Sequence, residues 1–205
     1  MAVAIPPGGT FFDTMKRTFV DVPILAEKDN GIPTTEFLEA AESFTTVFDL
    51  LGSVAFTPVK NDLLGNVKKI RDRQLAAPAE SETLQELVQN EQRIKKNTAT
   101  EGLLWLTRGL DFTSQALRDN IANASNELSS SFRTAYGSTL KPHHNFMIKP
   151  IFSAAMSATP YRKDFYAKLG EDLAKAQAVL DACIAALEKL VGILKDFLAT
   201  VGLKV

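Results

Sequence analysis

The stretch Thr98-Ala99-Thr100-Glu101-Gly102-Leu103-Leu104-Trp105-Leu106-Thr107-Arg108-Gly109-Leu110-Asp111-Phe112 decides the fold class. Leu103, Leu106, Leu110 and, further on, Leu117 share one face of a helix, while Trp105 and Phe112 point to another. A helix apolar on two sides belongs at the centre of a helical assembly. Thr98 followed by Glu101 has the spacing of a capping box, so the helix is expected to open there and to run through Leu117 or beyond.

Helical spacing continues outward in both directions. Phe37, Leu38, Ala41, Phe44, Val47, Phe48 and Leu51 form one stripe, with Gly52 placed to end it. Thr57-Pro58 reads as an N-cap followed by proline at the first helical position, opening a helix to about Gln74. Residues 75–81, with Pro78, read as a loop, and Leu84, Leu87, Val88 and Ile94 mark a more polar helix. Leu128, Phe132, Ala135, Tyr136 and Leu140 define another, stopped by Pro142. Pro150 and Pro160 punctuate the next segment, the second at a helix start after Thr159. From Glu171 onward Leu173, Ala176, Leu180, Cys183, Leu187, Leu190, Leu194 and Phe197 recur at three- and four-residue steps. That seam would suit a coiled coil, but its flanks carry Ala178, Ala182, Ala185 and Ala186 rather than charge pairs, which favours a packed helix in a monomeric bundle. No segment alternates as a strand, and no long repeat or low-complexity linker divides the chain. The expectation is one all-α domain over residues 1–205.

Composition narrows the function. The 205 residues carry 45% apolar and 23% charged side chains with a formal net charge of -1, which is globular and offers no cationic field for nucleic acid or for an anionic membrane. Membrane contact, if made, must be local and apolar. Cys183 is the single cysteine, so no intrachain disulfide forms, and its helical apolar setting marks it as core. Residues 1–10 lack a basic segment followed by an apolar run, and no stretch approaches the ~18 apolar residues of a membrane span. Asn123-Ala124-Ser125 fits the glycosylation pattern only by chance in such a chain. The expected compartment is the cytoplasm.

Enzyme signatures are missing. There is no nucleophile elbow, no phosphate-cradling loop and no dinucleotide fingerprint. The two histidines, His143 and His144, are adjacent, so their side chains diverge and share no metal with spaced ligands. A hydrolytic pair of His144 and Asp62 would lack a nucleophile. The expectation is a non-enzyme without metal or cofactor.

One stretch reads as a site: Thr57-Pro58-Val59-Lys60-Asn61-Asp62-Leu63-Leu64-Gly65-Asn66-Val67-Lys68-Lys69-Ile70. Val59, Leu63, Val67 and Ile70 cover its inward face at about 100° per residue, and Asp62, Asn66 and Lys69 line the edge. Asn66 lies within about 40° of Ile70 on this wheel, close enough to be half-buried. A carboxylate, an amide and an ammonium in one line interleave acceptors and donors, as a polyhydroxylated ligand requires. The same pattern also fits a solvated flank with an Asp62–Lys69 ion pair. Trp105, the sole tryptophan, either covers the apolar face of a sugar or fills the core.

Taken together, three ordered motifs resemble the glycolipid transfer protein family, and most of all its fungal members known from heterokaryon incompatibility. They are Asp62-Leu63-Leu64-Gly65-Asn66-Val67-Lys68-Lys69-Ile70, Leu103-Leu104-Trp105-Leu106-Thr107-Arg108-Gly109-Leu110, and Ala135-Tyr136 through Leu140-Lys141-Pro142-His143-His144-Asn145-Phe146 to Ile151-Phe152 and Pro160-Tyr161. The resemblance implies a two-layer helical sandwich enclosing a hydrophobic lipid tunnel, and intermembrane transfer of glycosphingolipids. It implies that Asp62 accepts from the ceramide amide and a sugar hydroxyl, that Asn66 and Lys69 bond sugar hydroxyls, that Trp105 stacks on the first sugar, and that His144 donates to the ceramide carbonyl. Relatives that carry phosphorylated ceramide place basic residues where Asn66 and Trp105 stand, so the sugar branch is implied. Two departures matter. The family's membrane-docking tryptophan is here Phe146, which bears on membrane affinity, and the tyrosine near the C-terminus is Leu203, which bears on the range of sugars. Phe146, with Met147 and Tyr161, is either the docking patch or, in the case of Phe146, the first inward residue of the next helix. A glycolipid sensor that binds without net transport needs the same pocket and stands as the alternative to a carrier.

Overall fold

The structure is a computed structural model that describes residues 4–51 and 54–205. Among these residues nine α-helices form: α1 (Thr34–Phe44), α2 (Val47–Leu50), α3 (Thr57–Ala76), α4 (Leu84–Arg93), α5 (Thr98–Ala122), α6 (Leu128–Ser138), α7 (Ile148–Ser157), α8 (Arg162–Ala167) and α9 (Leu173–Thr200). Among them there is no strand beyond the isolated bridges of Leu25 with Gly31 and of Pro33 with Thr83, so the all-α expectation holds.

α5 is central. It packs against α3, α6 and α9, and Leu103, Leu106, Leu110, Phe112 and Leu117 are all buried. Its approach to α3 is set by two glycines seven residues apart. A Cβ on Gly109 would meet Leu63 at 2.6 Å, and one on Gly102 would meet the Asn66 carbonyl oxygen at 3.1 Å. α3 therefore lies closer to α5 than side chains at those positions would allow, which brings its polar edge beside Trp105.

The start of α5 is held differently from the expected capping box. Thr98 is already helical, Asn97 precedes it without a side-chain cap, and Glu101 instead accepts from Asn97 Nδ2 at 2.8 Å. The free N–H groups are satisfied from α4: Glu91 accepts from the Ala99 and Thr100 amides at 3.0 and 2.7 Å and from the Thr100 hydroxyl at 2.8 Å. This carboxylate, 2% exposed, both caps the helix and complements its dipole. A true capping box opens α4, where Thr83 Oγ1 accepts from the Glu86 amide and Glu86 accepts in return from the Thr83 amide.

Other boundaries shift for local reasons. All seven residues of the stripe from Phe37 to Leu51 are buried as expected, but it is split between α1 and α2 by a turn at Thr45 and Thr46, whose hydroxyls bond back to the Glu42 and Ser43 carbonyls. The stop expected at Gly52 lies outside the described residues. Thr57 is the first residue of α3 rather than its cap, the loop after α3 includes a short 3-10 turn at Pro78–Glu80, and α8 begins at Arg162, beyond Pro160. Pro150 sits in the first turn of α7, where its missing N–H costs nothing. In α9 the seam residues Ala176, Leu180, Cys183, Leu187, Leu190 and Leu194 are buried within the chain against α5 and the N-terminal segment, while Leu173 is 54% exposed and Phe197 only partly buried. Burial also pushes the Cys183 thiol up to about 11.

Ahead of α1 the chain runs through short 3-10 turns at Phe11–Thr14, Phe19–Asp21 and Ala26–Lys28, which hydrophobic periodicity does not mark. Asp13 and Asp21 accept from the Thr10 and Thr18 amides, and these turns deliver Phe12 and Phe19 into the core. No helix among the described residues is long and apolar enough to cross a membrane.

Candidate functional site

The polar edge of α3 is wired in series. Lys69 Nζ donates to Asn66 Oδ1 at 3.0 Å, and Asn66 Nδ2 donates to Asp62 Oδ2 at 3.3 Å. The two charges are thus bridged through the amide instead of forming the direct ion pair of a solvated flank. Asn66 is more buried than expected, at 3% exposure, and its side chain can satisfy both neighbours only in this one orientation. Asp62 remains open to solvent at the pocket mouth, yet the protein packed around its carboxyl raises its pKa above the ordinary aspartate value, an effect the Lys69 charge partly offsets.

Opposite this edge stand Trp105 from α5 and His144 from the turn after α6. Their rings stack with an interplanar angle of 15° and centroids 5.9 Å apart, an offset arrangement that leaves part of the indole face toward the pocket. His144 Nδ1 lies 3.1 Å from Tyr136 Oη, which leaves Nε2 as the free ring nitrogen. Burial lowers the His144 pKa, and the neighbouring charges of His143, Arg108 and Lys149 lower it further, so the ring is neutral near pH 7. A neutral ring that accepts from the tyrosine hydroxyl at Nδ1 presents an Nε2–H donor.

All five residues singled out in the sequence meet in one cavity of about 310 Å³. Sequence reasoning missed its other walls: Pro58, Ile148, Ile151 and Phe152 also line it. Phe152 continues inward through a row of edge-on rings, Phe112 at 5.9 Å, Phe132 at 5.5 Å from Phe112, and Phe56 at 6.1 Å from Phe132. A polar mouth therefore opens onto an apolar interior. Among the described residues no cluster of histidine, cysteine and carboxylate side chains could hold a metal ion.

Residues 32–171 match the family model described as glycolipid transfer protein. A glycolipid transfer protein from Aureobasidium melanogenum is 66% identical over 96% of each chain. The chain belongs to the glycolipid transfer protein family. The crystal structure of the fungal glycolipid transfer protein HET-C2 superposes with a TM-score of 0.91 at 64% identity, covering 93% of this chain and 97% of that one. The structure that describes how FAPP2 selects simple glycosphingolipids with this fold gives 0.85 at 35% identity, over 96% and 98% of the two chains. The helical sandwich of the family and the likeness to its fungal members thus hold for this chain.

Beside the cavity the family fold leaves apolar side chains in solvent. Phe146 is 81% exposed, which excludes an inward role at the start of α7, and Met147 and Tyr161 are 62% and 68% exposed. Two residues not foreseen join them. Ile151 is both exposed and part of the cavity wall, and Val54 projects from the 3-10 turn that packs against α7.

Proposed function

We propose that this chain carries one glycosylceramide at a time between membranes, with the sugar on the α3 edge and the ceramide chains in the apolar interior. The observation that supports it best is the Lys69–Asn66–Asp62 relay facing Trp105 and His144 across one cavity. Asp62 supplies acceptors for the ceramide amide and a sugar hydroxyl, Asn66 and Lys69 bond further hydroxyls, Trp105 underlies the first sugar and His144 Nε2–H meets the ceramide carbonyl. The acyl chains follow the aromatic row behind Phe152, whose rings part to admit them.

Energetics assign the two halves different tasks. Each methylene exposed to water costs about 0.8 kcal/mol, so an ~18-carbon chain needs a continuous apolar route. That route only matches the bilayer interior and gives little selectivity. Selection falls to the polar edge, where an unpaired buried group costs about 1–3 kcal/mol. No bond is made or broken, and neither metal nor cofactor is required. The protein acts in the cytoplasm as a monomer that touches membranes transiently through Phe146, Met147 and Tyr161. Ile151 favours carrier over sensor, because it belongs to both the exposed patch and the cavity wall and so turns the mouth toward the bilayer.

Native mass spectrometry of the purified chain tests the ligand class. A co-purified mass matching a hexosylceramide is expected. A phosphorylated ceramide or a glycerophospholipid in its place would contradict the reading.

A further inference from the structure

On the far side of the Trp105 wall lies a second cavity, of about 340 Å³, whose chemistry the neutral glycolipid leaves unused. We propose that this cavity, centred on Arg108, binds an oxyanion group, a sulfate, phosphate or carboxylate. Its lipid-borne form, an anionic substituent on the sugar, rests on the function proposed above.

Arg108 carries an uncompensated charge. Arg108 is half-buried, its guanidinium carbon sits 4.7 Å from the centroid of the Trp105 ring, and no carboxylate pairs with it among the described residues. Its one hydrogen bond goes from Nη2 to the Lys204 carbonyl, and its Nε is fully buried without a partner. A carbonyl can hold a chain segment in place, but it does not balance a cation taken out of water. Burial holds the guanidinium below its ordinary pKa, in keeping with the missing counter-charge.

Lys195 and Lys204 also line the cavity, where Asp111 is paired with Lys195 at 2.9 Å and Val205, with the terminal carboxyl, makes no ion pair with Arg108, so the surplus positive charge is that of Arg108. The Ser138 and Thr139 hydroxyls are engaged with Gln115 Oε1 and with the Ala135 carbonyl. The groups left to donate are the Nη1 end of Arg108, the Lys204 ammonium and His143. Burial and the charges of Arg108 and Lys204 keep His143 neutral, and a neutral ring still donates one N–H. The Nη1 end of the guanidinium makes no hydrogen bond, and a charged donor there suits an oxyanion better than a hydroxyl. Position adds to this. Arg108 and the His143 ring, 6.4 Å from Trp105, both touch the indole assigned to carry the first sugar.

The full chain is exchanged with neutral phosphatidylcholine vesicles holding equal galactosylceramide and 3-O-sulfogalactosylceramide, and the loaded lipids are weighed by native mass spectrometry. Loading of unsulfated galactosylceramide by the unaltered chain reports on the proposed function. The ratio of sulfated to unsulfated lipid reports on the Arg108 cavity. Arg108→Gln is expected to lower that ratio about tenfold, the loss of one charge-assisted bond. Lys204→Gln, whose exposed ammonium makes no hydrogen bond or ion pair, is expected to lower it less and covers the case in which Arg108→Gln does not fold. Inorganic sulfate supplies the other arm. If it raises the melting temperature of the unaltered chain but not of the variants, while the lipid ratio stays fixed, the cavity takes a free anion. If neither the lipid ratio nor the response to sulfate depends on Arg108 or Lys204, the proposal is overturned.

Discussion

Asn66 shows how much a single buried amide can decide. At 3% exposure it has no water to fall back on, so its donor and acceptor are committed to Asp62 and Lys69 and the edge holds one arrangement. Asp62→Val keeps nearly the same volume but removes both acceptors, orphaning the Asn66 amide together with the ligand groups. A loss of several-fold to about a hundred-fold in transfer is expected, from about 1–3 kcal/mol, with circular dichroism unchanged and melting lowered only by the orphaned Asn66 amide. Normal transfer by a normally folded Asp62→Val would restore the solvated-flank reading. Acid should act on the same group. The Asp62 pKa is raised, so its acceptor form is lost at a higher pH than an ordinary aspartate would lose it. The lowered pKa of His144 keeps that ring neutral through its ordinary range. On acidification, ligand affinity should therefore begin to fall at a higher pH than an ordinary aspartate would dictate, a fall that Asp62→Val abolishes. Asp62, Asn66 and Lys69 were legible because a helix fixes their spacing. Tyr136 was not legible as the partner of His144, because a turn between α6 and α7 brings them together and no periodicity reports on a turn.

At the scale of elements, the same contrast holds for α5. Its existence and its central place could be read from leucine spacing, but its cap could not. Thr98 and Glu101 satisfied the local pattern, while the carboxylate that does the capping comes from Glu91 on another helix. Glu91→Gln removes the charge and one acceptor oxygen from three buried donors. It should cost about 2 kcal/mol and lower the melting temperature by about 4–8 °C, measured by calorimetry, with transfer at 25 °C nearly intact. Thr98→Ala should change melting by much less, and an equal loss from both would point back to a local capping box. The N-terminal turns were invisible for a related reason: Phe12 and Phe19 are buried by segments too short to display a period.

At the scale of the whole molecule, exposed apolar side chains, Ile151 of the cavity wall among them, stand on a chain of net charge -1. Docking should then depend on Phe146 and little on salt, because no long-range field is there to be screened. Phe146→Ala should slow transfer while leaving melting unchanged, given its 81% exposure, and Phe146→Trp should strengthen vesicle adsorption through an indole suited to the headgroup level. Equal adsorption by all three proteins in a vesicle-flotation assay would place the docking surface elsewhere. Transport itself is measured by the rate at which the purified chain moves fluorescent galactosylceramide or glucosylceramide from donor to acceptor vesicles of phosphatidylcholine, with fluorescent phosphatidylcholine as control. Acceleration of both glycolipids over spontaneous exchange, and none of the control, is expected; glycolipid rates that stay at the spontaneous level would contradict a transport function.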